Sequence, residues 1–281
     1  MGTSWPCICK TEYENDSVLT KRLEEFDSVY EIGSTLGVGQ FSEVKQATSK
    51  LDRNMDNKVA VKCINLTSMK SDEKLLKREI GIMKKIKHAN IVELYDIYEN
   101  DEYIYITMEL CSGGSLKEKV NLDGPMGVEE VRRMAKKLLS ALEYLHLSHI
   151  CHRDIKPENI LFTNEQVKIA DFGLARLMEG TNKFSMVGTP YYLSPEIISG
   201  DYNLKCDIWS LGVVLFFALT KRLPFYGEGY EDLFERISVT EIDWSGVETG
   251  EKEFLKYLMT RDHKSRPSAK QALEHPWVLG H

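Results

Sequence analysis

His152-Arg153-Asp154-Ile155-Lys156-Pro157-Glu158-Asn159 opens the stretch from which this chain is read. It continues through Asp171-Phe172-Gly173 and Gly188-Thr189-Pro190 to Ser194-Pro195-Glu196. The stretch gathers a carboxylate (Asp154), a lysine (Lys156), a side-chain amide (Asn159) and a second carboxylate (Asp171). Phosphoryl transfer from a nucleotide asks little covalent chemistry of a protein. It needs a carboxylate that orients the attacking hydroxyl and accepts its proton, hard oxygen ligands for the metals on the phosphates, and positive charge where the transferred group is negative. Asp154 suits the first task, Asn159 and Asp171 the second, and Lys156 the third.

A lone Asp-Phe-Gly carries little information. Joined to His-Arg-Asp, with Asn159 at its set spacing after Asp154, it makes a pattern that resembles the catalytic and activation segments of a eukaryotic protein kinase. Upstream parts extend the resemblance. Tyr30 to Leu36 reads as a strand that turns at Gly37-Val38-Gly39-Gln40-Phe41-Ser42-Glu43-Val44, where glycines let backbone amides approach phosphate oxygens. Ser42 stands where the kinase pattern has a third glycine. Val59-Ala60-Val61-Lys62 is an alternating strand, and the helical stretch Asp72 to Ile86 carries Glu79. The resemblance implies that Lys62 binds phosphate and that Glu79 holds Lys62. It also implies that Met83, Leu94, His152 and Phe172 form an apolar column.

The resemblance implies that Val44, Ala60 and Leu161 sandwich the purine in front of Met108, with hydrogen bonds from the backbone of Glu109 and Cys111, and that Leu36, Gly37, Gly39, Lys62 and Asp171 also bind the nucleotide. Gly113 and Gly114 would leave room for the ribose. Asp154, Lys156 and Thr189 complete the catalytic set, Asn159 and Asp171 hold the metal, and Arg266 pairs with Glu196. Lys156 and Thr189 are the residue types of serine/threonine kinases. Ser268-Ala269 to His275-Pro276-Trp277 is similar to the calcium/calmodulin-dependent and calcium-dependent kinases, although the chain has no EF-hand loop pattern. Gly188 to Glu196 is also similar to the NIMA-related kinases.

The implied fold is α+β and bilobal. A small antiparallel sheet with one main helix (29–110) joins a larger, mainly helical lobe (111–281), behind a polar N-terminal leader (1–28). The implied function is transfer of the γ-phosphate of Mg-ATP to a protein Ser or Thr hydroxyl, with ATP and Mg2+ required. The alternatives are a pseudokinase scaffold, which would ordinarily have lost Lys62, Asp154, Asn159 or Asp171, and a NIMA-related-like kinase.

Composition agrees with an ordinary globular chain of 281 residues, 42% hydrophobic and 28% charged. A formal charge of -7 argues against a nucleic-acid partner. Six cysteines show neither zinc spacing nor a disulfide framework, which points to a reducing, cytoplasmic setting. Val128 to Leu147 has apolar residues at a helical period (Val131, Met134, Leu138, Leu142, Leu145), and Lys252 to Met259 reads as a further helix. Ile208 to Leu219 is the longest apolar run but falls short of the roughly 18 residues of a membrane span, so it reads as a buried helix after Asp207.

Three features outside the catalytic set remain. Gly2, Cys7 and Cys9 suggest acylation and membrane association, but Pro6 breaks the myristoylation pattern, and an exposed tail with two thiols fits equally. Ser17 to Phe26 has the spacing of a short helix. Ser185, four residues before Thr189, is the position where an upstream kinase or autophosphorylation would place a phosphate facing Arg153 and Arg176. Glu179, Thr181 or an unphosphorylated ordered segment are the other readings. Glu118 and Glu158 are expected to read one basic residue upstream of the target hydroxyl.

Overall fold

A computed structural model describes residues 21–39, 42–51, 58–66, 73–164, 166–177, 189–200 and 203–281. Gly2, Cys7, Cys9, Glu179, Thr181 and Ser185 lie outside the described residues. The chain divides into two compact units. One holds the described residues up to Lys87 together with Val92–Ser112, and the other holds His88–Ile91 with Gly113–His281.

The first unit is a sheet covered by a helix. Its strands are β1 (Lys21–Arg22), β2 (Tyr30–Val38), β3 (Ser42–Ser49), β4 (Lys58–Asn65), β5 (Leu94–Glu99) and β6 (Tyr103–Glu109), in the order β1-β5-β6-β4-β3-β2. All pairings are antiparallel except that of β1 with β5. Alternation along β4 sorts its side chains between two clusters, because successive residues of a strand point to opposite faces. Val59 and Val61 join Phe26, Tyr30, Ala47 and Tyr98. Ile64 faces the other way, into a cluster with Leu76, Ile80, Ile97, Ile104 and Ile106. Leu76 and Ile80 belong to α2 (Glu73–Lys85), so α2 covers that second face.

The end of the stretch expected as leader is a built part of this unit. Lys21–Arg22 pairs with β5, Lys21 Nζ meets Asp96 Oδ1 at 2.7 Å, and α1 (Leu23–Val29) follows. Of the Ser17–Phe26 expectation, residues 17–20 lie outside the described residues, Lys21–Arg22 is strand, and the helix takes in Leu23 to Phe26. Its position is decided by Phe26, which is fully buried with its ring 5.0–5.3 Å from those of Tyr30, Tyr98 and Tyr105. An aromatic side chain with that much area to bury recruits its backbone to the sheet.

The second unit is mainly helical: α3 (Leu116–Asp123), α4 (Val128–Leu147), α5 (Pro195–Ser199), α6 (Cys206–Thr220), α7 (Tyr230–Val239), α8 (Thr249–Leu258), α9 (Ala269–Leu273) and α10 (Pro276–Leu279). Every apolar position expected on α4 is buried. The expected central helix is α6, buried on all sides as a helix apolar all round must be. It packs against α4 and α8, and a Cβ added at Gly212 would stand 2.7 Å from Met259 Cγ. Two short antiparallel pairs complete the unit. β7 (Ile150–Cys151) pairs with β10 (Arg176–Leu177), and β8 (Ile160–Phe162) pairs with β9 (Val167–Ile169). Among the described residues no helix is long and apolar enough to cross a membrane.

Candidate active site

The two short strand pairs explain why Asp154 and Asp171 belong together. The loop 152–159 joins β7 to β8, and Asp171 lies between β9 and β10, so both loops leave the same pair of ladders. Ile160 pairs with Ile169, and just beyond it the Ala170 amide donates to the Asn159 carbonyl at 2.9 Å. That contact sets Asn159 beside the residue preceding Asp171.

Asp154 is 7% exposed and receives two cationic or amide donors on one oxygen. Lys156 Nζ donates to its Oδ2 at 2.6 Å, and Asn159 Nδ2 donates to the same atom at 2.9 Å. Asn159 Nδ2 also donates to the Asp154 carbonyl at 2.9 Å. The amide nitrogen of Asn159 is thereby committed to Asp154, which leaves its oxygen as the atom suited to a hard cation. With the Asp171 carboxylate, exposed and held by the Gly173 amide at 3.3 Å, the donor set is hard oxygen, which fits magnesium.

The loop is anchored from below by Asp207. Its Oδ2 accepts from the His152 amide and from His146 Nε2, each at 2.9 Å, and its Oδ1 accepts from the Arg153 amide at 2.8 Å. Burial opposes the charge of this fully enclosed carboxylate. The His146 hydrogen bond and the other donors outweigh that, so its pKa lies below the usual aspartate value. These bonds hold Arg153 at φ 66°, a left-handed conformation that costs a non-glycine residue about 1–3 kcal/mol. Asp171 is held likewise at φ 62°. His152 Nε2 faces the Ala170 carbonyl at 3.1 Å and so carries the proton, while Nδ1 accepts from the Asp154 amide at 3.3 Å. Its ring meets Phe172 edge-on at 4.9 Å. Arg153 Nε donates to the Leu174 carbonyl at 2.6 Å, tying the loop to the segment after Asp171.

Thr189 precedes a single turn over Pro190–Tyr192, whose Tyr192 amide donates to the Thr189 carbonyl at 3.1 Å. Beyond it, Glu196 and Arg266 form a buried pair. Arg266 Nη2 donates to Glu196 Oε2 at 2.8 Å and Nη1 donates to Oε1.

In the sheet unit, Lys62 and Glu79 meet as expected. Lys62 Nζ donates to Glu79 Oε1 at 2.7 Å, and Glu79 is 7% exposed. α2 brings Glu79 there because the neighbouring Ile80 packs on the sheet face that also carries Lys62. Ala60, buried, pairs with Met108 across β4 and β6. Leu36 is half exposed on β2, and Val44 pairs with Gly37. A Cβ added at Gly37 would meet nothing among the described residues within 4 Å, so none of them requires glycine there. That open space fits a phosphate-bearing ligand. The Glu109 amide is taken by the Glu93 carbonyl at 2.9 Å. Cys111 is half-buried, and Leu161 lies on β8 in the helical unit.

Gly113, Gly114, Glu118 and Glu158 also have duties within the fold. Gly113 does not simply leave space for a ribose: its amide donates to the Phe162 carbonyl at 2.8 Å, and a Cβ there would stand 2.8 Å from Phe162 Cβ. Gly114 is required by φ 70°. Glu118 is spent on a helix cap, accepting from the Ser115 amide at 2.7 Å and the Ser115 hydroxyl at 2.9 Å, and the first of these bonds holds its carboxyl below the usual range. Glu158 is paired with Lys117 Nζ at 2.7 Å. Sequence reasoning missed His146 as an anchor, for which a lone histidine in an apolar helix gives no signal. It also missed the Ala170 carbonyl, since backbone groups carry none.

A family model described as the protein kinase domain matches residues 30–278. Among relatives, a probable myosin light chain kinase of Dictyostelium discoideum is 35% identical over 271 residues, 92% of this chain and 68% of that protein. Calcium/calmodulin-dependent protein kinase type 1B of Rattus norvegicus is 36% identical over 273 residues, 94% of this chain and 79% of that protein. Calcium-dependent protein kinase 5 of Plasmodium berghei is 34% identical over 285 residues, 98% of this chain and 50% of that protein.

Proposed function

We propose, for a chain that belongs to the protein kinase domain family and is a protein serine/threonine kinase, that phosphotransfer from Mg-ATP runs through the loop set of Asp154, Lys156, Asn159 and Asp171. The observation that carries this reading is the Asp154 carboxylate, enclosed, with Lys156 and Asn159 both donating to Oδ2. That leaves Oδ1 for the hydroxyl of the protein substrate.

Bound magnesium–ATP supplies the transferable phosphoryl group. Asp154 orients the Ser or Thr hydroxyl and accepts its proton as the oxygen attacks. Lys156 places positive charge beside the transferred group. Asn159 and Asp171 hold the metal through hard oxygens, and Lys62, fixed by Glu79, binds the nucleotide phosphates. Leu36, Gly37, Gly39, Val44, Ala60, Met108, Glu109, Cys111 and Leu161 are the proposed nucleotide contacts, and Thr189 belongs to the hydroxyl-binding side of the loop. The identities to type 1B calcium/calmodulin-dependent kinase and to calcium-dependent kinase 5 support a calcium/calmodulin-dependent-like subgroup.

The test is a radiolabelled transfer assay on a peptide array with and without magnesium. Asp154→Asn should lower turnover by about 10²–10⁴-fold, the usual worth of a positioned base, with nucleotide binding retained. Asp171→Asn should also weaken magnesium-dependent binding. ATP binding by the unaltered protein without any transfer would favour a scaffold instead.

A further inference from the structure

Two buried thiols stand under the catalytic loop and take no part in the chemistry above. Cys151 ends β7 directly before His152, and Cys206 opens α6 directly before Asp207. They are 55 positions apart in sequence, yet their sulfurs lie 3.3 Å apart, and both side chains are 0% exposed. Leu193 and Ile197, from the segment that carries Glu196, cover them together with Leu204 and Phe234. With Asp207 they form the one group among the described residues in which three such ligand atoms lie within 4.8 Å of one another. A metal there would have to take a carboxylate whose oxygens already accept from His146, His152 and Arg153. The chemistry left to the pair is that of a dithiol.

We propose that Cys151 and Cys206 are an oxidisable pair, that a peroxide-class oxidant joins them in a disulfide, and that the bond lowers phosphotransfer by shifting the base of the catalytic loop. A disulfide brings two sulfurs to about 2.0 Å, so the pair must close by more than an ångström. The residues that move are the immediate neighbours of His152 and Asp207, whose mutual hydrogen bond, with that of the Arg153 amide, positions Asp154. β10 pairs with Cys151, so the start of the segment after Asp171 is drawn along.

Cys206 is the nucleophile. It opens a fifteen-residue helix, where the amide dipoles favour a thiolate, and its sulfur shares a hydrogen bond with that of Cys151, in which either thiol can donate. A hydrogen bond donated by Cys151 works most strongly, to lower the Cys206 pKa, but burial and the Asp207 and Glu196 charges together outweigh it and leave the thiol raised; burial raises Cys151 further. Reaction therefore waits on loosening of the Leu193–Ile197 cover. The Cys206 sulfur then attacks peroxide: an S–O bond forms, the O–O bond breaks, and the leaving oxygen departs as water with the thiol proton. Cys151 next attacks the Cys206 sulfur, an S–S bond forms, and the S–O bond breaks to release a second water. Two thiols are oxidised by two electrons, and one peroxide is reduced to two waters.

The experiment treats the full chain with hydrogen peroxide, blocks remaining thiols by alkylation, and maps linked peptides by mass spectrometry without reduction, with turnover measured before treatment, after it, and after dithiothreitol. The expected result is a Cys151–Cys206 link, a several-fold loss of turnover, and recovery on reduction. Both the link and the recoverable loss should be missing in Cys206→Ala and in Cys151→Ala. Alkylation of both thiols after treatment would overturn the proposal, as would the same recoverable loss in either variant, or linked protein that turns over like reduced protein. The link is read by mass on the unaltered chain, so it stands or falls separately from the phosphotransfer reading and from the folding of the variants.

Discussion

Replacing Arg266 with methionine removes one half of a buried ion pair while keeping an unbranched chain of similar length. Arg266 is 1% exposed and Glu196 4%. The guanidinium donates from both terminal nitrogens to the two Glu196 oxygens, and it also serves the carbonyls of Thr260 at 2.8 Å, Lys205 at 3.0 Å and Arg261 at 3.3 Å. Stranding one charge of such a pair costs about 3–5 kcal/mol, because the remaining ion has neither water nor a partner. Methionine recovers a little packing against Trp209, over whose ring the guanidinium sits at 5.1 Å. At about 2–4 °C per kcal/mol for a chain of this size, the melting midpoint should fall by roughly 6–20 °C. Thermal melts and urea titrations of Arg266→Met and of the double variant Arg266→Met/Glu196→Leu would check it. The double variant should recover most of the loss, because a buried pair exchanged for apolar groups of similar size is often nearly neutral. A single-variant loss under about 1 kcal/mol, the level of an exposed pair, would refute the reasoning. So would a double variant as unstable as the two single changes added together.

Two further outcomes are expected. Gly37→Ala should leave stability unchanged but weaken nucleotide binding in a fluorescent-nucleotide titration, because nothing among the described residues lies within 4 Å of the added carbon. Gly113→Ala, which drives a methyl to within 2.8 Å of Phe162, should instead cost about 1–3 kcal/mol in denaturant titrations. For pH, His88 is half-buried, which disfavours its charged form, and Lys168 adds repulsion, so its folded pKa lies below the ordinary value of about 6.5. A lowered imidazole pKa means that the unfolded state binds more protons, so its stabilising term is fully present above pH ~6.5 and is lost as pH falls through the folded pKa. His88→Asn, whose Oδ1 can still accept the Asn90 amide now held by Nδ1 at 3.0 Å, should flatten that slope in denaturation curves measured across acidic pH.

The residue pattern by itself determined what local chemistry and periodicity can encode. The spacing of Asp154, Asn159 and Asp171 fixes two loops of one kind, and the structure places them on the adjoining ladders β7–β10 and β8–β9. The period of α4 named its buried face, since helical position maps directly onto exposure when one side meets a core. The long apolar run of α6 foretold burial on all sides, which holds from Cys206 to Phe216. Only tertiary structure decided the rest, because it depends on contacts between residues far apart in the chain. The kinase resemblance implies that Asp207 binds the backbone of the loop after Cys151, and the His152 and Arg153 amides do donate to it, but only the fold brings His146 onto the same carboxylate from 61 positions away. Gly113 looks like ligand space until the Phe162 backbone fills its side. Glu118 looks like a reader of basic peptides until Ser115 claims it, and Phe26 looks like the end of a leader until three tyrosines close around it. Cys151 and Cys206, scattered among apolar residues in sequence, become neighbours because the loop before Asp154 and the first turn of α6 are anchored to the same carboxylate.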